Sequence, residues 1–232
     1  MLRLISSMAV RQVLVELTHS WQQATGIEVL IESVGGVDAA KRVQAGEAFD
    51  GVVLASDAID KLASGGRVFA GSRVDLVRSS VAVAVKAGAP RPDVGTETAL
   101  RRAIDAAPSI GYSTGPSGVA LLKLFERWGV IDELASRIVQ APPGVPVGAL
   151  VARGDVALGF QQLSELIHLE GIDVLGKLPE AVGITTVFSA GICANSMQSE
   201  LLSELLVFMA SDDTAAVKRR HGLEPATMTD AE

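Results

Sequence analysis

The chain is poor in the residues that most often announce a chemistry. It holds a single cysteine, Cys193, among 232 residues. No internal disulfide can form, and a lone thiol says little about compartment. Cys193 lies in the apolar run VFSAGICA, which predicts a buried structural thiol rather than a nucleophile. Histidine is scarce. His19, His168 and His221 fall far apart on predicted helices, at no spacing that joins them to Cys, Asp or Glu as ligands, so no metal site is expected. Basic runs are missing beyond KRRH near the C-terminus, and the formal net charge is −7. That argues against nucleic acid as a partner, because phosphate binding needs a clustered cationic surface. No stretch approaches the ~20 apolar residues of a membrane span, so no membrane insertion is expected. The start, MLRLISS, has one basic residue, no long apolar segment and no cleavage site. The sequence as it stands therefore predicts a cytoplasmic protein, or a periplasmic one if the chain is a processed form.

Nucleotide and nucleophile signatures are missing too. GPSG is not closed by the Gly-Lys-Ser/Thr of a phosphate loop, and YSTGPSG does not fit a nucleophile elbow. Gly35-Gly36 lacks the third glycine of a dinucleotide fingerprint. No cofactor is expected.

What is present is a globular composition, 48% hydrophobic and 20% charged, enough for one large domain or two small ones. LRLIS, IEVLIESV and DGVVLAS read as strands, the last buried on both faces. Between them run amphipathic helices. The first carries Val10, Leu14, Leu17 and Trp21 on one stripe and stops at Gly26. The alternation continues: RVDLVRSSVAVAVK, SIGYST, RIVQAP, VALGF, IDVLGKLP and ITTVFSAGICA read as strands, and QLSELIHLEG, SELLSELLVFMAS and DTAAVKRRHG are among the helices. This order predicts an α/β fold with parallel sheets covered by helices. Two units are expected, one from residues 1–80 with 190–232 and one from 81–189, with the ligand in a cleft between the lobes.

Several strand-to-helix loops share a trait. ISSM places Ser6 and Ser7 after the first strand, and SVGGVD places Gly35 and Gly36 after the second. YSTGPSG supplies Ser113, Thr114, Gly115 and Ser117, and PPGVPVG supplies Gly144. Each is a turn of small residues into a helix N-terminus, with free N–H groups and often hydroxyls. Such turns serve as plain caps or corners, or converge as an anion cradle. Asp57, in LASD, is expected to cap its helix.

At these residues the chain resembles the type II periplasmic binding proteins, in the branch of molybdate-binding proteins of ABC transporters. The resemblance covers about residues 2 to 226 and rests on blocks in order: SSMAVRQVLVELTHSWQQATGIEV, AAKRVQAGEAFDGVVLASD, GSRVDLVRSSVAVAVKAG, YSTGPSG, ALVARGDVALGF and LLVFMASDDTAAVKRRHGLEPA. It implies a small anionic ligand held by hydroxyls and backbone amides, an ABC permease as partner if the protein serves transport, and a monomer. It also implies that Ser6 or Ser7 is the first-loop hydroxyl and that residues around Ser117 and Val145 are amide donors. Gly36 stands where the branch usually has a ligand serine, and Gln161 where it often has a tyrosine.

Those two departures point away from a bare tetrahedral oxyanion. Removing a hydrogen-bond partner from a buried anion costs on the order of 1–3 kcal/mol. A glutamine amide both donates and accepts, which suits a carboxylate, and Gly35-Gly36 opens space. Arg11 and Lys41 are either solvated helix charges or the cations of a carboxylate site. Asp38 is either a residue favoured by the helix dipole or, with Lys41, the base of an enzyme. The expected function is binding of a di- or tricarboxylate-like anion. The enzymatic alternative is isomerisation of an unsaturated tricarboxylate, similar to aconitate isomerase, and the third reading is a molybdate or tungstate receptor for transport.

Overall fold

The computed structural model describes residues 1–226. In chain order its elements are β1 (Leu2–Ser7), α1 (Arg11–Thr25), β2 (Val29–Val34), α2 (Gly36–Gln44), β3 (Gly51–Ala55), α3 (Ser56–Ser64) and β4 (Val74–Lys86). There follow α4 (Glu97–Ala106), β5 (Ile110–Tyr112), α5 (Pro116–Arg127), α6 (Ile131–Leu134), β6 (Ile138–Gln140), α7 (Val147–Arg153), β7 (Leu158–Gln162), α8 (Leu163–Leu166) and β8 (Ile172–Lys177). The chain ends with β9 (Thr185–Ile192), α9 (Ser199–Ala210), α10 (Ala215–Arg220) and β10 (Leu223–Pro225). Two compact units form among the described residues: 1–79 with 186–226, and Ser80–Thr185.

In the first unit β1 pairs in parallel with β2 on one side and β3 on the other. β3 pairs antiparallel with β9, and β10 with the first half of β4. Every residue of β3 is buried, as its unbroken apolar run predicts. One face of this sheet packs on α1 and α9 through Val13, Leu14, Leu17, Leu202, Leu205 and Leu206. The other packs on α2 and α3 through Ala39, Val43, Ile59 and Leu62.

In the second unit β5 pairs in parallel with β6 and β7, while β4 runs antiparallel to β7 and β8. Its main core joins Val81, Val83, Ile110, Leu158 and Phe160 of the sheet to Leu100, Ile104, Leu121 and Phe125 of α4 and α5. Phe125 meets Phe160 edge to face, with centroids 6.3 Å apart. On the opposite face α7 lies directly on the strands. Gly111 and Gly159 are register partners, and a Cβ at Gly159 would stand 2.4 Å from Val151 Cγ2.

Two local expectations are corrected. The helix read over QLSELIHLEG stops at Leu166, because Leu166 and Leu169 turn under the first turn of α7, where a Cβ at Gly148 would meet Leu169 Cδ1 at 2.4 Å. Asp57 is not the cap of α3. The N-cap is Ala55, and Asp57 sits inside the first turn, paired with Lys61 at 3.4 Å. The strand and helix abut with no intervening residue, which leaves no capping position for it.

Packing of α7 on β5 and β7 is tight enough to be tested. Gly159→Ala is expected to lower stability by about 1–3 kcal/mol through overpacking, read as an earlier urea midpoint with an unchanged slope.

Candidate anion site

Parallel pairing sets the geometry. Because β1, β2 and β3 run the same way, the loops that follow them leave from one edge of the sheet. Ser6 and Ser33 are register partners, and their hydroxyl oxygens are 2.8 Å apart in a partly buried hydrogen bond. Ser7 caps the 3-10 turn Met8–Val10, its Oγ accepting from Ala9 N–H at 3.3 Å. α2 begins at the same edge. Its N-cap, Gly35, offers no side chain, and the N–H groups of Gly36, Val37 and Asp38 have no acceptor among the described residues. These are the orphan donors that every helix start leaves, next to the positive end of the helix dipole.

Gly36 faces Ser7. A Cβ built on it would lie 3.6 Å from Ser7 Oγ and 3.9 Å from Leu54 Cδ2, ordinary contact distances, and its φ is not positive. Neither packing nor backbone requires glycine there, so the side chain's absence leaves room beside the hydroxyl. Arg11, at the start of α1, and Lys41, in α2, are exposed and carry no ion pair among the described residues. Asp38 is exposed as well, its carboxylate folded back toward Gly35.

The second unit presents a comparable edge. Tyr112 of β5 is the register partner of both Gln140 and Phe160, so Ser113, Ala141 and Gln161 are the next residues on three adjacent parallel strands. Ser113 Oγ and Ser117 Oγ are hydrogen-bonded at 3.0 Å. Thr114 is exposed beside them, and Gly115 is the N-cap of α5. Pro116 has no N–H and Gly118 donates to Gly115 O, which leaves Ser117 N–H as the first-turn donor without an acceptor. Gly118 holds this turn closed. A Cβ on it would fall 1.8 Å from the Ser113 carbonyl oxygen, which is backbone and cannot swing aside.

The PPGVP loop is a tight turn. Val145 N–H donates to Pro142 O at 3.0 Å, with Gly144 at φ 76° in the position that demands glycine. The Val145 amide is therefore already engaged. Gln161, only 2% exposed, is engaged at both ends. Its Oε1 accepts from Gly148 N–H in the first turn of α7 at 3.1 Å, and its Nε2 donates to Glu165 Oε2 at 2.7 Å. Burial pushes the Glu165 carboxyl up to about 7, opposed by the Gln161 donor.

Ser33 and Glu165 did not emerge from the sequence. Ser33 takes its place through strand register, which periodicity does not reveal. Gln161 and Glu165 are four residues apart, a helical spacing, but Gln161 is on the strand, so only the strand-to-helix turn brings them together. Elsewhere, Cys193 is buried and its thiol is pushed up to about 12 by burial and then by Asp50, which keeps it protonated and unreactive. His221 Nε2 meets Glu16 Oε2 at 2.8 Å, a contact between α1 and the end of α10. Among the described residues no cluster of three His, Cys, Asp or Glu side chains could hold a metal, and no helix is long and apolar enough to cross a membrane.

The family described as bacterial extracellular solute-binding protein matches residues 2–224. The chain belongs to this family. Its fold is that of the type II periplasmic binding proteins. An aconitate isomerase of Pseudomonas sp is 35% identical to this solute-binding protein over 229 residues, 97% of this chain and 87% of that one. Among solved structures, the periplasmic molybdate-binding protein of Azotobacter vinelandii superposes with a TM-score of 0.79 at 21% identity, covering 96% of this chain and 98% of that one. PEB3 of Campylobacter jejuni, with L-phospholactate bound, superposes with a TM-score of 0.75 at 13% identity, covering 97% and 99%.

Two substitutions probe the edge in the second unit. Gly118→Ala is expected to displace the Ser113–Ser117 turn and destabilise the protein, seen as a lower thermal midpoint. Glu165 binds its proton more tightly folded than unfolded, so stability should fall as pH rises from about 4.5 to about 7. Glu165→Gln should flatten that slope in urea titrations across the same range.

Proposed function

We propose that this solute-binding protein recognises an unsaturated tricarboxylate of the aconitate class. One observation carries the reading. At Gly36, where the resemblance to molybdate-binding proteins implies that a ligand serine is usual, the fold would accept a side chain and the sequence has none. The space opens beside Ser7 and the unpaired N–H groups of α2, donors suited to a carboxylate. Arg11 on α1 and Lys41 on α2 carry no ion pair among the described residues and would add positive charge to such a site. Similarity to an aconitate isomerase along nearly the whole chain supports the same ligand class.

Calorimetry with cis- and trans-aconitate, citrate, succinate, molybdate, tungstate and sulfate tests this. Tricarboxylates are expected to bind at least about 10-fold more tightly than molybdate, a difference of about 1.4 kcal/mol. Tight molybdate binding without carboxylate binding would instead identify a transport receptor with an ABC permease as its partner. Gly36→Ser should leave the thermal midpoint unchanged and weaken tricarboxylate binding about 5- to 10-fold.

A second reading adds catalysis. It is favoured by the 35% identity to an aconitate isomerase and by a partly buried carboxyl, Glu165, hydrogen-bonded to Gln161. Proton NMR of cis-aconitate with the pure protein in D2O decides it. Appearance of the trans isomer, or loss of methylene signal to deuterium, is the expected result. An unchanged spectrum beside measured binding would leave a receptor.

A further inference from the structure

We propose that α10 and β10 of the first unit form a latch, loosened when the buried amine of Lys218 takes a proton and tightened when it loses one. The device lies wholly within that unit and does not depend on which ligand binds.

The segment has little of its own to hold it. α10 has six residues and β10 three, and a helix so short does not persist without tertiary packing. No side chain caps α10. Leu223 and the partly buried Val217 pack into the core built with α1 and α9. Leu223, Glu224 and Pro225 pair with Ser79, Arg78 and Val77 of β4. Into this packing the chain places Lys218. The residue is 1% exposed, and its Nζ is buried with no hydrogen-bond partner among the described residues. A buried ammonium of this kind loses its hydration and gains no partner in return, so the closed segment favours the neutral amine.

The surrounding charges do not supply a counter-ion. Asp212, in the 3-10 turn Asp212–Thr214, favours the protonated amine but makes no hydrogen bond to it. Asp213 in the same turn is exposed. On α1, Glu16 is engaged by Arg220 and by His221 Nε2, the latter at 2.8 Å, while Arg11 and His19 are exposed. On β10, Glu224 lies 3.4 Å from Arg219. Arg219 and Arg220, the other cations of α10, are exposed. Burial outweighs Asp212 and pushes the Lys218 amine below its ordinary value of about 10.5.

The sign follows from linkage. The opened segment binds the proton more tightly than the closed one, so closure is favoured as pH rises toward about 10.5 and disfavoured as it falls. The contacts of Glu16 titrate elsewhere. Hydrogen bonding to His221, and then Arg220, holds its carboxyl below the usual value of about 4.5, so those contacts are lost only in acid. Lys218 is thus the group of the latch that responds above neutrality. An open latch leaves Val77, Arg78 and Ser79 of β4 without β10.

Hydrogen exchange read by mass spectrometry and corrected for the intrinsic rate, between about pH 7 and about pH 9, tests the latch. In the wild type, peptides within 212–226 are expected to exchange before those of β1 and β3, and to gain protection as pH rises. Lys218→Met keeps a long unbranched side chain and removes the amine. It should slow exchange in 212–226 by about 10-fold or more, abolish the pH dependence there, and leave β1 and β3 unchanged. Asp212→Asn should speed exchange of the segment in the wild-type background and have no effect combined with Lys218→Met. Lys218→Met that exchanges as fast as the wild type, or keeps its pH dependence, overturns the proposal. Equal slowing throughout the first unit also overturns it, because the amine would then act on unfolding of the whole unit. If Lys218→Met does not fold, Asp212→Asn decides: exchange in 212–226 no faster than in the wild type at about pH 7 overturns the latch.

Discussion

Parallel strand pairing is the constraint on which the rest depends. A helix that crosses over between parallel strands must start at the carboxyl edge of the sheet, so its unpaired N–H groups gather there. In the first unit this sets the start of α2 next to Ser6, Ser7 and Ser33. In the second it sets the start of α5 on the strand next to Gln161. An acidic protein with net charge −7 can bind an anion by this means, because local dipoles and donors outweigh a distant charge sum.

Holding such donors in place needs close backbone approach, and glycine supplies it. Gly118 lets the first turn of α5 rest against the Ser113 carbonyl, and Gly111 and Gly159 let α7 sit on its strands. Gly36 has the opposite character. No contact or dihedral demands it, so its small size serves the space outside the fold rather than the packing inside. Gln161 shows how one side chain can tie two elements together. Its amide closes the first turn of α7 and at the same time steadies a carboxyl that burial has made a weak acid.

Much of the fold was legible in the sequence because hydrophobic periodicity survives in every long element. The α1 stripe, the wholly buried β3 and the βα alternation each follow from residues a few positions apart. Among the short elements, β5 and β6 were read as strands, but others were not legible. α6 has four residues and β10 three, too few for a period to show, and α8 was read too long because Leu169 continues a helical pattern that packing under α7 interrupts. Of the candidate site residues, the structure brings Ser7 against Gly36 and Ser113 against Ser117, while Val145 has its amide tied up in a turn. Arg11, Lys41 and Asp38 remain solvated on their helices.

The sequence by itself determined the α/β class, the strand-to-helix loops and the resemblance to a binding-protein family, because these are written in local pattern and in the order of blocks along the chain. Tertiary structure alone decided which loops meet and which polar groups are already satisfied. Ser33 reaches Ser6 through the register of two strands. Glu165 reaches Gln161 through a turn from strand to helix, and acquires its altered acidity from burial. Register and burial depend on residues far apart in the chain, and for that reason the pairing of Gln161 with Glu165 was invisible in the stretch GFQQLSE until the chain was folded.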